Sequence, residues 1–137
     1  MRKFLYLFLV IGLIGCDSAT GISSQAQGTY ELVAINGQRL PVTFDVDFGE
    51  DVFYDGTLEV FRNGTFRETI ELEEIRSGSR RLITDQQQGS WSGGSRGSLL
   101  FRYESGGRLD ADFDGRDITM FAEDEFGREL TIEYRRR

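Results

Sequence analysis

Residues 57–73 read TLEVFRNGTFRETIELE, and the pattern within them decides the fold. Leu58 and Val60 alternate with Thr57 and Glu59. Beyond the Asn63-Gly64 pair, Phe66, Ile70 and Leu72 alternate with Arg67, Thr69, Glu71 and Glu73. Successive side chains of a strand point to opposite faces, so this stretch predicts a two-stranded ribbon with one apolar and one charged side. Asn-Gly between two such runs is a hairpin signal, because both residues tolerate the backbone of a tight turn.

The same pattern extends in both directions. Upstream, Tyr30, Leu32 and Ala34 share one face of a first strand that stops at Asn36-Gly37, a pair suited to a type I′ turn, and a short apolar stretch runs from Leu40 to Phe44. Residues 45–55, which include Phe48, Phe53 and Tyr54, read as a long loop, either a candidate lid over a barrel mouth or apolar residues plugging an open end of the core. Downstream come an Arg/Ser/Gly stretch (Arg76 to Arg81), a short strand at Leu82-Ile83 and another around Trp91. Leu99, Phe101 and Tyr103 form the next face. Turns at Ser105-Gly106-Gly107 and Asp114-Gly115 bracket Leu109, Ala111 and Phe113; Ile118 and Met120, then Leu130, Ile132 and Tyr134, complete the series. No segment reads as a helix.

Roughly eight or nine strands therefore fall between Gly28 and Arg137. An open sheet of that size leaves two unpaired edges, and closing it removes them. The expectation is an all-β, antiparallel up-and-down meander closed into a small barrel of about eight strands, with a two-sheet β-sandwich as the alternative.

Composition agrees with one turn-rich globular domain: 137 residues, 17 Gly, one Pro, 39% apolar and 28% charged. The chain has no His and one Cys, which excludes Ser-His-Asp and Cys-His catalysis, His-liganded metals and an internal disulfide. The net charge is −7. Anionic nucleic acid is accordingly not an expected partner.

The amino-terminal segment has a different character. Arg2 and Lys3 precede the apolar run Phe4 to Leu13, too short to span a bilayer and suited to a signal-peptide core. The run ends Leu13-Ile14-Gly15-Cys16, which resembles the lipobox of bacterial lipoproteins. That resemblance implies cleavage after residue 15, acylation of Cys16, and a lipid anchor holding the protein on a membrane of the bacterial cell envelope. The anchor would sit on the periplasmic face of the inner or outer membrane, or at the cell surface. Asp17 resembles an inner-membrane retention signal of some Gram-negative systems. Ser18 to Gln27, small and nearly uncharged, read as a flexible tether. Three segments result: a signal peptide (1–15), a lipidated Cys with its tether (16–27), and a barrel (28–137). Loss of Arg2 and Lys3, with no acid lost, moves the net charge from −7 to −9.

Gly28-Thr29-Tyr30-Glu31-Leu32, Ile35-Asn36-Gly37 and Leu40-Pro41, followed by short Gly-terminated strands and a basic carboxyl terminus, resemble the small bacterial lipocalin-like lipoproteins. Lipocalins carry Gly-x-Trp on the first strand with a late basic residue packed over the Trp; here Tyr30 stands at the aromatic position and Arg135 is the candidate counterpart. The resemblance implies a barrel that binds or carries a small apolar ligand at its open end, although the short domain argues against a roomy cavity. Candidate ligand contacts are Tyr30, Phe53, Tyr54, Trp91, Phe101, Tyr103 and Phe113, of which the inward set (Tyr30, Trp91, Phe101, Tyr103, Phe113) is expected to serve the core first, because a domain this small needs most of its large side chains for burial. The competing expectation is an interaction or inhibitor-type module that contacts another envelope protein.

Asp110, Asp112 and Asp114 with Gly115 match the first half of a calcium loop, but its twelfth position is Phe121 where a bidentate Glu belongs. Outward aspartates on a strand entering an Asp-Gly turn explain the same residues, so neither metal nor cofactor is expected. Most of the remaining carboxylates alternate outward on strands, where a solvated face explains them, and a non-enzymatic protein is expected.

Overall fold

A computed structural model describes residues 25–124 and 126–137. Residues 1–24, which include the expected signal segment, Cys16, Asp17 and most of the expected tether, lie outside the described residues. Ten strands follow one another: β1 (Gly28–Ile35), β2 (Gln38–Arg39), β3 (Val42–Val46), β4 (Gly49–Val60), β5 (Thr65–Arg76), β6 (Ser79–Gly93), β7 (Ser98–Tyr103), β8 (Arg108–Phe113), β9 (Asp117–Glu123) and β10 (Glu129–Arg136).

Strands β4 to β10 pair in sequence order, each antiparallel to the next, and β1 pairs with both β10 and β4. Eight strands, β1 and β4–β10, thus form a closed up-and-down barrel, while β2 and β3 lie on the connection between β1 and β4. The closing ladder is short, from Gly28↔Val60 to Glu31↔Thr57. Gly56 stands where it ends. A Cβ there would lie 2.9 Å from both Cβ and Cδ2 of Leu32, so only glycine lets β1 approach β4 at that point.

The turns bear out part of the sequence reading. Asn36 (φ 51°) and Gly37 (φ 73°) both take positive φ, as a type I′ turn requires. The turn at Asn63-Gly64 is longer: Phe61 N–H donates to the Thr65 carbonyl, and Asn63 Oδ1 accepts from Thr65 N–H (3.1 Å) and Oγ1 (2.6 Å).

Two expectations need correction. Residues 45–55 are not a loop: β3 and β4 form a hairpin turning at Asp47-Phe48, with Val42↔Phe53 and Val46↔Gly49 at its ends. The strands at Leu82-Ile83 and Trp91 are one continuous β6. In both places polar residues occupy an apolar face, and long-range pairing outweighs the missing hydrophobic alternation.

The middle of the barrel is filled. Tyr30, Leu58, Phe66, Phe101, Ile118, Met120 and Tyr134 are fully buried, and Phe66 meets Phe101 and Tyr103 edge to face at 5.0 Å. One end is plugged. Ala26 is buried there, and its carbonyl accepts from the Tyr30 hydroxyl (2.6 Å). Arg136 Nη2 donates to the same hydroxyl (2.7 Å) and to the Gln25 carbonyl (2.5 Å), with its guanidinium over the rings of Tyr30 and Phe113. Arg136, not Arg135, is therefore the basic residue over the first-strand aromatic. Inward positions on β10 are Leu130, Ile132, Tyr134 and Arg136; Arg135 points outward, 3.8 Å from Asp117.

Candidate functional site

At the opposite end β4, β5 and β6 run on past their neighbours. The β5–β6 ladder extends from Thr65↔Ser90 to Arg76↔Ser79, whereas β6 and β7 pair only from Gly89↔Tyr103 to Gly93↔Leu99. With β3 added at the edge of β4, these extensions form a wall over the barrel mouth.

Between that wall and the mouth lies an apolar cavity of about 260 Å³. Leu32 and Ile35 of β1, Ile70 of β5 and Ile132 of β10 line it from the barrel, and Phe44 and Phe53 line it from the β3–β4 hairpin. The two phenylalanines pack edge to face at 5.6 Å. They share a face because Phe53 pairs with Val42, two residues before Phe44 on β3. Phe126, in the turn between β9 and β10, closes one side.

The rim is charged. Asp51 pairs with Arg76 at 2.7 Å, and Asp124 with Arg128 at 2.6 Å. Desolvation raises the Asp124 pKa, but the Arg128 N–H, the Arg128 guanidinium and the Phe126 N–H together hold it below the usual carboxylate range. Asp45 is exposed on the same rim and has no ion pair or side-chain hydrogen bond among the described residues. The site thus offers hydrocarbon walls and a mouth with one uncompensated carboxylate. Each methylene buried there would gain roughly 0.8 kcal/mol.

One step deeper, a polar cluster interrupts the core. Inward positions along β5 run Ile70, Glu68, Phe66, and Glu68 is 6% exposed. Its two carboxyl oxygens accept separately from the Tyr134 and Tyr103 hydroxyls, the latter at 3.0 Å. Burial raises the Glu68 pKa, and the two donated hydrogen bonds hold that rise back. Both phenols are raised too, first by burial and then by the carboxylate beside them. A buried carboxyl with both oxygens satisfied fixes three strands, β5, β7 and β10, to one another.

The residues singled out from sequence scatter. Phe53 lines the cavity. Tyr30, Phe101 and Phe113 are buried core, and Tyr103 is half-buried against it. Trp91, also packed against the core, donates from Nε1 to the Phe61 carbonyl at 2.8 Å. Tyr54 is exposed, its hydroxyl donating to Glu73 at 2.8 Å. Asp110, Asp112 and Asp114 do not converge; Asp114 Oδ1 accepts from the N–H groups of Arg116 (2.9 Å) and Asp117 (2.7 Å), and no cluster able to hold a metal occurs among the described residues.

Sequence reasoning missed Glu68, Arg136 and Phe126. For the first two a signal was present: each is a charged residue on the apolar parity of its strand. Phe126 lies in a turn, where no periodicity operates.

The architecture is that of an eight-stranded antiparallel meander barrel, consistent with a lipocalin-like fold. No protein-family model, no curated protein and no solved structure matches this chain.

Proposed function

We propose that this chain is a lipid-anchored protein of the bacterial envelope whose lipocalin-like barrel binds a small apolar ligand at its open end. The observation that carries the reading is the cavity at the mouth, lined by Leu32, Ile35, Phe44, Phe53, Ile70 and Ile132. Its volume, about 260 Å³, is just below the lower end of the usual range for small-molecule sites, so it suits a compact ligand or one chain end. The uncompensated Asp45 favours a neutral or cationic group at the rim over an anionic one.

Anchor and mouth are compatible. The described chain enters at the plugged end, and Cys16 lies nine residues before Gln25, a reach of at most ~30 Å. Acyl chains on Cys16 would hold the plugged end toward the membrane and turn the mouth away from it. The test is mass spectrometry of the protein purified gently from native envelopes. A mature mass beginning at acylated Cys16, with an apolar molecule co-purifying, is the expected result. An unprocessed, unacylated chain would overturn the anchor, and a ligand-free protein that takes up none from an envelope extract would overturn the binding role.

A further inference from the structure

We propose that two copies of this chain pair through the free edge of β6, antiparallel and two-fold symmetric about Ile83. On one side of β6 the ladder to β5 is continuous and without a bulge over Ser79–Ser90. On the other side β7 reaches only Gly89, and the last bond runs from Glu104 N–H to the Gln88 carbonyl. Residues 79–87 therefore present an open edge among the described residues. It carries no proline and no bulge, two of the usual protections of an edge that long, and its charges, Arg80, Arg81 and Asp85, are of both signs.

Backbone parity fixes which groups that edge offers. Trp91 N–H points toward β5, donating to the Gly64 carbonyl, and the Gln88 carbonyl points away from it. The outward groups are then those of Arg80, Leu82, Thr84 and Gln86, and an antiparallel copy must match even positions to even. Centring the pair on Ile83 sets Leu82 opposite Thr84 and Arg80 opposite Gln86, with about eight inter-strand hydrogen bonds. In the same register Arg81 faces Asp85 twice and Ile83 faces itself. Moving the centre to Leu82 sets Arg81 against Ile83; moving it to Thr84 sets Ile83 against Asp85.

Charge selects the first register. Asp85 is exposed, has no ion pair among the described residues and accepts only from Gln87 Nε2 at 3.3 Å. Arg81 reaches Glu74 at 3.8 Å with a side chain 76% exposed, so it is free to take a cross-strand carboxylate. A second feature agrees. The β5–β6 turn of the other copy would arrive beside Gln87 and Gln88, where a notch brings the amides of Gln86, Gln87 and Gln88 together with Asp85 and Glu104 against a single base, Arg67. The arriving strand end carries Arg80. A single strand pair makes a small interface, so the dimer is reversible and populated at high concentration.

The test is sedimentation velocity of the full chain in detergent, up to about 0.5 mM, a range suited to a small interface. A monomer–dimer equilibrium is expected. Thr84→Pro removes an outward N–H without touching the ladder to β5, and should abolish the dimer while circular dichroism keeps its strand signal. Asp85→Arg should abolish it as well, and Arg81→Asp with Asp85→Arg should restore it. On oxidation, Ile83→Cys should give a disulfide-linked peptide through position 83, mapped apart from any link through Cys16. A monomer throughout the range, a dimer that survives Thr84→Pro, or a charge exchange that fails to restore association would overturn the proposal.

Discussion

Arg136 lies over the ring of Tyr30, its Cζ 5.3 Å from the centroid, and donates to the Tyr30 hydroxyl at 2.7 Å. The pair ties the last strand, β10, to the first, β1, at the plugged end of the barrel. Arg136→Ala removes two charged hydrogen bonds, to the Tyr30 hydroxyl and the Gln25 carbonyl, and two cation–ring contacts, a loss of at least about 2 kcal/mol in urea unfolding. Arg136→Lys should recover part of it, because the charge stays while the planar fork is lost. Arg135→Ala, on the outward face, should change stability by less than about 0.5 kcal/mol. Equal costs at the two positions would remove Arg136 from its role in joining β10 to β1.

Glu68 makes stability depend on pH in a definite direction. Its folded pKa is raised above the ordinary 4.5, chiefly by burial. The stabilisation tied to its protonated form is complete below about 4.5 and is lost as pH rises through the folded value. Asp114 acts in the opposite sense. Backbone N–H groups of Asp117 and Arg116 lower its pKa below 3.8, so its contribution is present above that value and disappears as pH falls through the folded one. Urea midpoints of the wild type and Glu68→Gln across pH separate the two: the wild type should lose ground against the variant as pH rises from about 4.5, with Asp114 common to both. A constant difference across that range would show that Glu68 does not titrate in this way.

Gly56 and Leu32 make a paired prediction. With a Cβ at Gly56 only 2.9 Å from Leu32 Cβ and Cδ2, Gly56→Ala should cost about 1–3 kcal/mol through overpacking at the seam. In a Leu32→Ala background the Cδ2 clash is gone, and the same substitution should cost less. Additive costs would mean that the seam does not depend on this contact.

Much of the fold was legible because the barrel exposes one face of each strand to water, so the alternation at Leu58, Val60, Phe66, Ile70 and Leu72 survives as a period of two. It failed at β6, where Thr84, Asp85 and three glutamines cover positions without apolar contacts to make, and at Asp45–Asp55, where acids alternate with aromatics on a half-exposed hairpin. There the pairing with β5 and β4 decides, and pairing leaves no local trace. The cavity was legible at Phe53 alone. Its other walls come from four strands far apart in sequence, and an inward residue lines a cavity or fills a core according to the depth at which its strand ends. Glu68 and Arg136 could have been found by asking which charged residues share the parity of an apolar face.

The central claim is that the mouth cavity takes up a small apolar molecule, and a fluorescence titration with neutral phenylnaphthylamine tests it most directly. The full chain should bind the probe saturably at one site, and Leu130→Trp, which fills the cavity from β10, should weaken binding at least about tenfold, or ~1.4 kcal/mol, at unchanged strand content. Absence of saturable binding, or binding that Leu130→Trp leaves intact, would contradict the claim.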